Sequence, residues 1–210
     1  MKVISLLSRK GGSGKNTLAM HWAVEAGKKK KSVTKKIVIL DLDPQGSCAS
    51  WYEKRESGYP FLISSSPKEL PDHLALCRKE KVDLVIIDTV PDINAVAVHA
   101  ARFSDLVVIP TRPSVLDLEA LAGSVELVEG LKKQAVIVIN QTPVRSRVEK
   151  EAREALGGYN LPVCPTAIIQ RLSFSRHLIR GKTAGEAEPK SKAAIEIRKT
   201  WSWVQKQLEA

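Results

Sequence analysis

Cysteine is scarce and unpaired in this chain. Cys48, Cys77 and Cys164 are far apart and form no Cys-x-x-Cys pair, so the sequence offers neither a disulfide framework nor a zinc or iron–sulfur ligand set. A reducing cytoplasm is the expected compartment. Long apolar runs are missing too. The first residues, MKVISLLSRKGG, reach charge and glycine too soon for a signal peptide or a membrane span, and a soluble protein is expected. No internal repeat is visible. Acid is in deficit: 33 Lys plus Arg against 23 Asp plus Glu leave a formal charge of +10. That surplus favours a polyanionic partner, nucleic acid or an anionic membrane face.

What is present is a repeating alternation. Short runs rich in Val, Ile and Leu recur as VISLL (3–7), KIVILDLD (36–43), VDLVIID (82–88), DLVVIP (105–110) and AVIVIN (135–140). Each is continuously apolar, the pattern of strands buried on both faces. Helix-length segments lie between them, at 15–27, about 47–56, 68–80, 92–102, 117–132 and 146–157. The alternation predicts one α/β domain over residues 1–210, a predominantly parallel sheet with right-handed crossovers and helices on both faces. Ligands of such sheets sit beyond the carboxyl ends of the strands. Gly11, Asp43, Asp88, Pro110 and Asn140 stand at those ends. From Pro162 to Ala194 the pattern weakens to a strand, a basic helix and a loop. Beyond it Ile197, Trp201, Val204 and Leu208 share one helical face that should dock on the sheet. The tract GKKKKSVTKK (27–36) reads as a solvated turn, with contact to a polyanion as the alternative.

The chemistry concentrates in SRKGGSGKNT, residues 8–17. A strand that ends in glycines and opens into a helix presents backbone N–H groups and the positive helix end to phosphate oxygens. Gly11, Gly12 and Gly14 allow close backbone approach, Ser13 completes the loop, and Lys15 places a point charge at the β and γ phosphates. The standard phosphate loop ends Gly-Lys-Ser/Thr; here Asn16 stands where the metal-binding hydroxyl belongs. Magnesium takes a near-octahedral oxygen shell at about 2.0–2.1 Å. An amide oxygen projects one bond further and brings an NH₂ that needs its own acceptor. Thr17 is no substitute, because the next helical residue points roughly 100° away. Reduced magnesium affinity and reduced hydrolysis with nucleotide binding preserved is the expectation; near-normal turnover through the amide, a deliberately altered chain and a non-hydrolysing switch are the alternatives.

With Lys10 ahead of the glycine pair, KGGSGK resembles the deviant Walker A motif of the ParA/MinD ATPase superfamily. DLDPQGS (41–47) resembles its second motif and VIIDTVPD (85–92) its Walker B strand. VVIPTRPSVLDLEA (107–120) and VIVINQTPVRSR (136–147) are similar to the short ParA proteins that segregate plasmids. The resemblance covers nearly the whole chain. It implies ATP/ADP and Mg²⁺ as cofactors, with Lys10 crossing a dimer to the partner's nucleotide and Lys15 holding phosphate. Asp43 would orient the attacking water, and Asp88 would hold magnesium through water, with Asn16 as the remaining metal-facing residue. Asn140 resembles the adenine-reading residue, against a turn or cap role, and Asp41 is either a site carboxylate or a structural acceptor. Lys10 has no evident task in a monomer that already holds phosphate with Lys15, which favours a homodimer on ATP binding.

The resemblance also implies non-specific DNA binding by a nucleoid-associated protein. Arg171, Arg176, Arg180 and Lys182, with Arg145 and Arg147, are the candidate contacts; Arg176 and Arg180, four apart, would share a helical face. A merely solvated helix is the alternative. Nothing like a helix-turn-helix precedes the loop, so a separate centromere-binding adaptor is implied. A MinD-like membrane switch is less favoured, since the tail WSWVQKQLEA carries little positive charge, and no stable membrane association is expected. Positioning of another cargo remains open.

Overall fold

The computed structural model describes residues 1–28, 35–91 and 95–210. Most of the tract read as a solvated turn (29–34), the start of the predicted 92–102 helix and Asp92 of the Walker B run lie outside the described residues. The chain alternates β1 (Lys2–Leu6), α1 (Lys15–Ala26), β2 (Ile37–Asp41), α2 (Ser47–Tyr52), β3 (Phe61–Ser64), α3 (Leu70–Lys79), β4 (Leu84–Asp88), α4 (Ala95–Phe103), β5 (Leu106–Thr111), α5 (Val115–Gly130), β6 (Ala135–Ile139) and α6 (Val148–Leu156). The strands form one parallel sheet in the order β3-β2-β4-β1-β5-β6.

The continuous apolar runs have the reason expected of them. Ile37 and Ile39 pack on one face with Leu18, Trp22 and Val204, while Val38 and Leu40 pack on the other with Leu74 and Ala100. Both faces are covered, so neither register of a strand can be polar. The run that reads least clearly is β3, absent from the sequence expectation. It is a four-residue edge strand with Phe61 exposed, and a half-covered edge needs no unbroken apolar run.

The segment after 158 departs from its expected form. Val163 and Ile169 make isolated bridges to Ile137 and Thr142 rather than a strand; Pro162 and Pro165 withhold N–H groups there. The basic helix is also broken, into a short α7 (Ser173–Arg176) and a 3₁₀ turn, Leu178–Arg180, that ends at Gly181 with φ 67°. Arg176 and Arg180 therefore share no continuous helical face. The expected loop contains α8 (Ala184–Ala187), begun by a capping box between Thr183 and Glu186.

The final helix, α9 (Lys192–Glu209), buries the predicted stripe of Ile197, Trp201, Val204 and Leu208, and packs against α1 and β6. Trp22 of α1 donates to Thr200 Oγ1 at 3.1 Å and its ring lies 6.3 Å from that of Trp201. Trp201→Ala should cost about 3–5 kcal/mol, the range for truncating a buried aromatic. Urea unfolding checks it, and a loss under about 1 kcal/mol would show that α9 contributes little to the core. No described helix is long and apolar enough to cross a membrane.

Candidate nucleotide site

The carboxyl ends of β1, β2 and β4 converge on the loop between β1 and α1. Gly12 and Gly14 hold left-handed φ values of 75° and 91°, and Gly14 is the N-cap of α1, which has no side-chain cap bond. Thr17 N–H is taken up by the neighbouring Asn16 side chain, and the N–H groups of Lys15 and Asn16 ahead of it face the loop end where a ligand would sit. Lys15 is 6% exposed, its Nζ 3.5 Å from the carbonyl of Ser8. Burial lowers its pKa, against the attraction of Asp88 and Asp43.

Asp41 and Asp88 are register partners across β2 and β4. Asp41 accepts from the backbone N–H of Asp43 at 3.1 Å and of Ala49 at 3.3 Å, which fixes the turn that carries Asp43 and starts α2; its structural reading is the one the geometry supports. Asp88 is 1% exposed, and its Oδ1 has no partner among the described residues. Burial, then repulsion from Asp41, pushes its carboxyl up to about 7.

That shift has a testable sign. Asp88 binds its proton more tightly in the folded chain than in the unfolded one, so its contribution to stability is lost as pH rises from about 4 through about 7. Asp88→Asn should therefore stabilise the nucleotide-free protein at about pH 8, on the order of 2–4 kcal/mol relative to any difference at about pH 4. Denaturant unfolding of both proteins at the two pH values measures this. A pH-independent difference would mean that Asp88 titrates normally.

Gly14, Lys15, Asn16, Thr17, Asp43 and Asp88 line a polar cleft of ≈ 260 Å³. It shares Thr17 and Gln141 with a second cavity of ≈ 420 Å³ walled by Ile168, Leu172, Phe174 and Ile197. A cation and backbone-donor cleft joined to an apolar cavity matches phosphates at one end and a base at the other.

Asn140 serves the loop. Its Nδ2 donates to the Ser13 carbonyl at 2.8 Å and its Oδ1 accepts from Gln141 N–H at 2.9 Å. Asn140 thus braces the loop, and it also lines the ≈ 420 Å³ cavity, with a second N–H and a second lone pair left on its amide. Gln141, which the sequence reading missed, holds φ 53° and donates Nε2 to the Gly12 carbonyl at 2.8 Å; its one signal was adjacency to Asn140. His21 was missed as well. Ala184 N–H donates to its Nε2 at 3.2 Å, so Nδ1 carries the proton and donates to the Thr17 carbonyl at 2.8 Å. Burial drops its pKa to about 4, and the neutral ring ties the phosphate-loop helix to α8.

The Asn16 amide oxygen, at the cleft wall, is held by the adjacent backbone. It accepts from Thr17 N–H at 2.7 Å, with Thr17 Oγ1 at 3.4 Å. Magnesium fits the site through the orphaned Asp88 Oδ1, with Asp43 at the cleft wall, and not through Asn16 as placed. Lys10 is not idle in the monomer. Its Nζ lies 3.7 Å from Asp117 Oδ2, on a carboxylate that Arg112 also reaches at 2.9 Å and Ser114 bonds.

The basic residues divide. Arg171 is spent on Glu196, with Nη2 to Oε1 at 2.6 Å, which removes it from a free phosphate-binding surface. Arg176, Arg180 and Lys182 are exposed. Arg145 and Arg147 are exposed before α6, whose Ala152 and Leu156 pack on the sheet face opposite Phe174, so the two groups belong to different layers.

A family model described as the CobQ/CobB/MinD/ParA nucleotide binding domain matches residues 4–184. The chain is 24% identical to the maintenance of carboxysome distribution protein A of Halothiobacillus neapolitanus, over 92% of this chain and 91% of that one. It is 28% identical to the protein of the same name from Gloeobacter kilaueensis, over 95% of each. The septum site-determining protein MinD of Pyrococcus horikoshii, solved with Mg-ADP, superposes with a TM-score of 0.78 at 17% identity, over 98% of this chain and 96% of that one. That last likeness is one of fold.

Proposed function

Since the chain belongs to the CobQ/CobB/MinD/ParA nucleotide-binding family, we propose that it is an ATP-driven positioning switch, an ATPase that dimerises on ATP, binds DNA without sequence preference and is released by hydrolysis. The observation that carries this reading is the cleft built by Lys15, Asp43 and Asp88 at the strand ends, with Lys10 of the same loop held on Asp117.

The chain's own parts act in order. The loop N–H groups and Lys15 bind the phosphates, while the apolar cavity takes the base. Asp43, part-exposed at the cleft, orients the attacking water. Asp88 would hold magnesium through water, and the metal would supply neutralising charge to the phosphates. Lys10 leaves Asp117 to reach the nucleotide of a second copy, closing the sandwich dimer.

Arg176, Arg180 and Lys182 supply the DNA contacts, and the protein works at the nucleoid in the cytoplasm. Its cargo is a large assembly engaged through an adaptor protein. A plasmid carried by a centromere-binding adaptor fits, and the carboxysome-distribution relatives support a different assembly in that place.

The test is binding to random duplex DNA with ATP or ADP across a salt series. Affinity should require ATP and fall steeply with salt. Replacing both Arg176 and Arg180 by Ala should reduce the log–log salt slope by roughly 2. Binding indifferent to salt and nucleotide would exclude the DNA role.

A further inference from the structure

Beneath the phosphate cleft, Asp41, Cys48 and Asp88 form a buried cluster, at 3%, 0% and 1% exposure. One donor atom from each lies within 4.8 Å of the others. The carboxylates stand at neighbouring strand ends, and Cys48 is the second residue of α2. The Cys48 thiol donates to Asp88 Oδ2 at 3.3 Å, yet Asp88 Oδ1 is buried with no partner among the described residues. The Asp41 carboxylate accepts from the backbone N–H groups of Asp43 and Ala49, with the Cys48 backbone also acting on it, and this holds it against the start of α2.

A bound cation would give these three acidic donors, packed together out of water, a common partner. The donor set decides which cation. Magnesium and calcium take oxygen ligands, whereas a thiolate beside carboxylates selects softer ions.

We propose that Asp41, Cys48 and Asp88 form a site for a thiophilic divalent cation, zinc or cadmium, whose fourth position opens to the phosphate cleft that Asp88 also lines. The Cys48 S–H bond breaks, its proton leaves to solvent, and a sulfur–metal bond forms with no change of oxidation state. Donors around a tetrahedral zinc stand about 3.5 Å apart, given bonds of about 2.0–2.3 Å; Cys48 and Asp88 already meet at 3.3 Å, and the separations within 4.8 Å leave the others little to close. The site stands on these three residues and does not depend on turnover of ATP. It draws Asp88 away from any other ligand, so a metal held there competes with use of the cleft.

The experiment titrates the full chain, free of affinity tag and nucleotide, with cadmium and reads the ultraviolet thiolate-to-cadmium charge-transfer band. The band should saturate at a single equivalent, persist in Cys77→Ser and Cys164→Ser, and vanish in Cys48→Ser. Asp41→Asn should weaken binding at least about tenfold, the carboxylate being a direct ligand. Circular dichroism and melting establish that Cys48→Ser is folded, and Cys48→Ala replaces it if it is not. A band that survives loss of the Cys48 thiol, or no band in the wild-type chain under excess cadmium, overturns the proposal.

Discussion

Asn16→Thr is expected to raise magnesium-dependent ATP turnover at least tenfold, roughly 1.4 kcal/mol off the barrier. The amide oxygen at this position is already bonded to Thr17 N–H at 2.7 Å. Turning it toward a metal would leave that N–H, in the first helical turn, without its acceptor. A threonine hydroxyl in the same place is shorter by one bond and meets the magnesium shell without an NH₂ group to satisfy. Nucleotide binding without magnesium should change little, because Lys15 and the loop backbone carry it. The comparison is steady-state hydrolysis of the two proteins with magnesium and duplex DNA. Equal rates would show that the metal is held without this hydroxyl and that Asn16 is no brake.

How legible the site was follows from the range of the interaction each residue makes. The apolar runs, the glycines and Lys15 act through their own local backbone, so Lys2–Leu6 and Lys15–Ala26 fall where the residue pattern places them. Asp41 and Asp88 stand at strand ends for the same reason. What escaped depends on distant partners. Lys10 reads as free in one dimension, but Asp117, 107 positions later, meets it because β5 lies beside β1. Arg171 reads as one more cation of a basic helix until Glu196 is brought against it by α9. His21 resembles any core residue of α1, and its role appears once Ala184 N–H is seen to point at its ring. The four-residue strand Phe61–Ser64 lacked a signal because an edge position demands apolar residues on neither face in full.

Gly14→Ala should lower ATP affinity about 100-fold, about 2.7 kcal/mol. Two separable costs add at this position. The backbone sits at φ 91°, where a side chain costs about 1–2 kcal/mol. A Cβ there would also stand 2.2 Å from Asn140 Nδ2, so the amide must withdraw and its bond to the Ser13 carbonyl breaks. Leaving buried polar groups unpaired costs a further 1–3 kcal/mol or so. Gly12 separates the two terms. Its φ of 75° carries the first cost, but the nearest atom to an added Cβ is Arg112 Nη1 at 3.6 Å, an ordinary van der Waals contact. Gly12→Ala should accordingly lose only about tenfold. In an Asn140→Ala background the clash is gone, and adding Gly14→Ala should then cost about what Gly12→Ala costs. Titration of a fluorescent ATP analogue against the four variants completes the cycle. Equal losses for Gly12→Ala and Gly14→Ala in the wild-type background would mean that backbone conformation, and not the Asn140 clip, holds the phosphate loop open for its ligand.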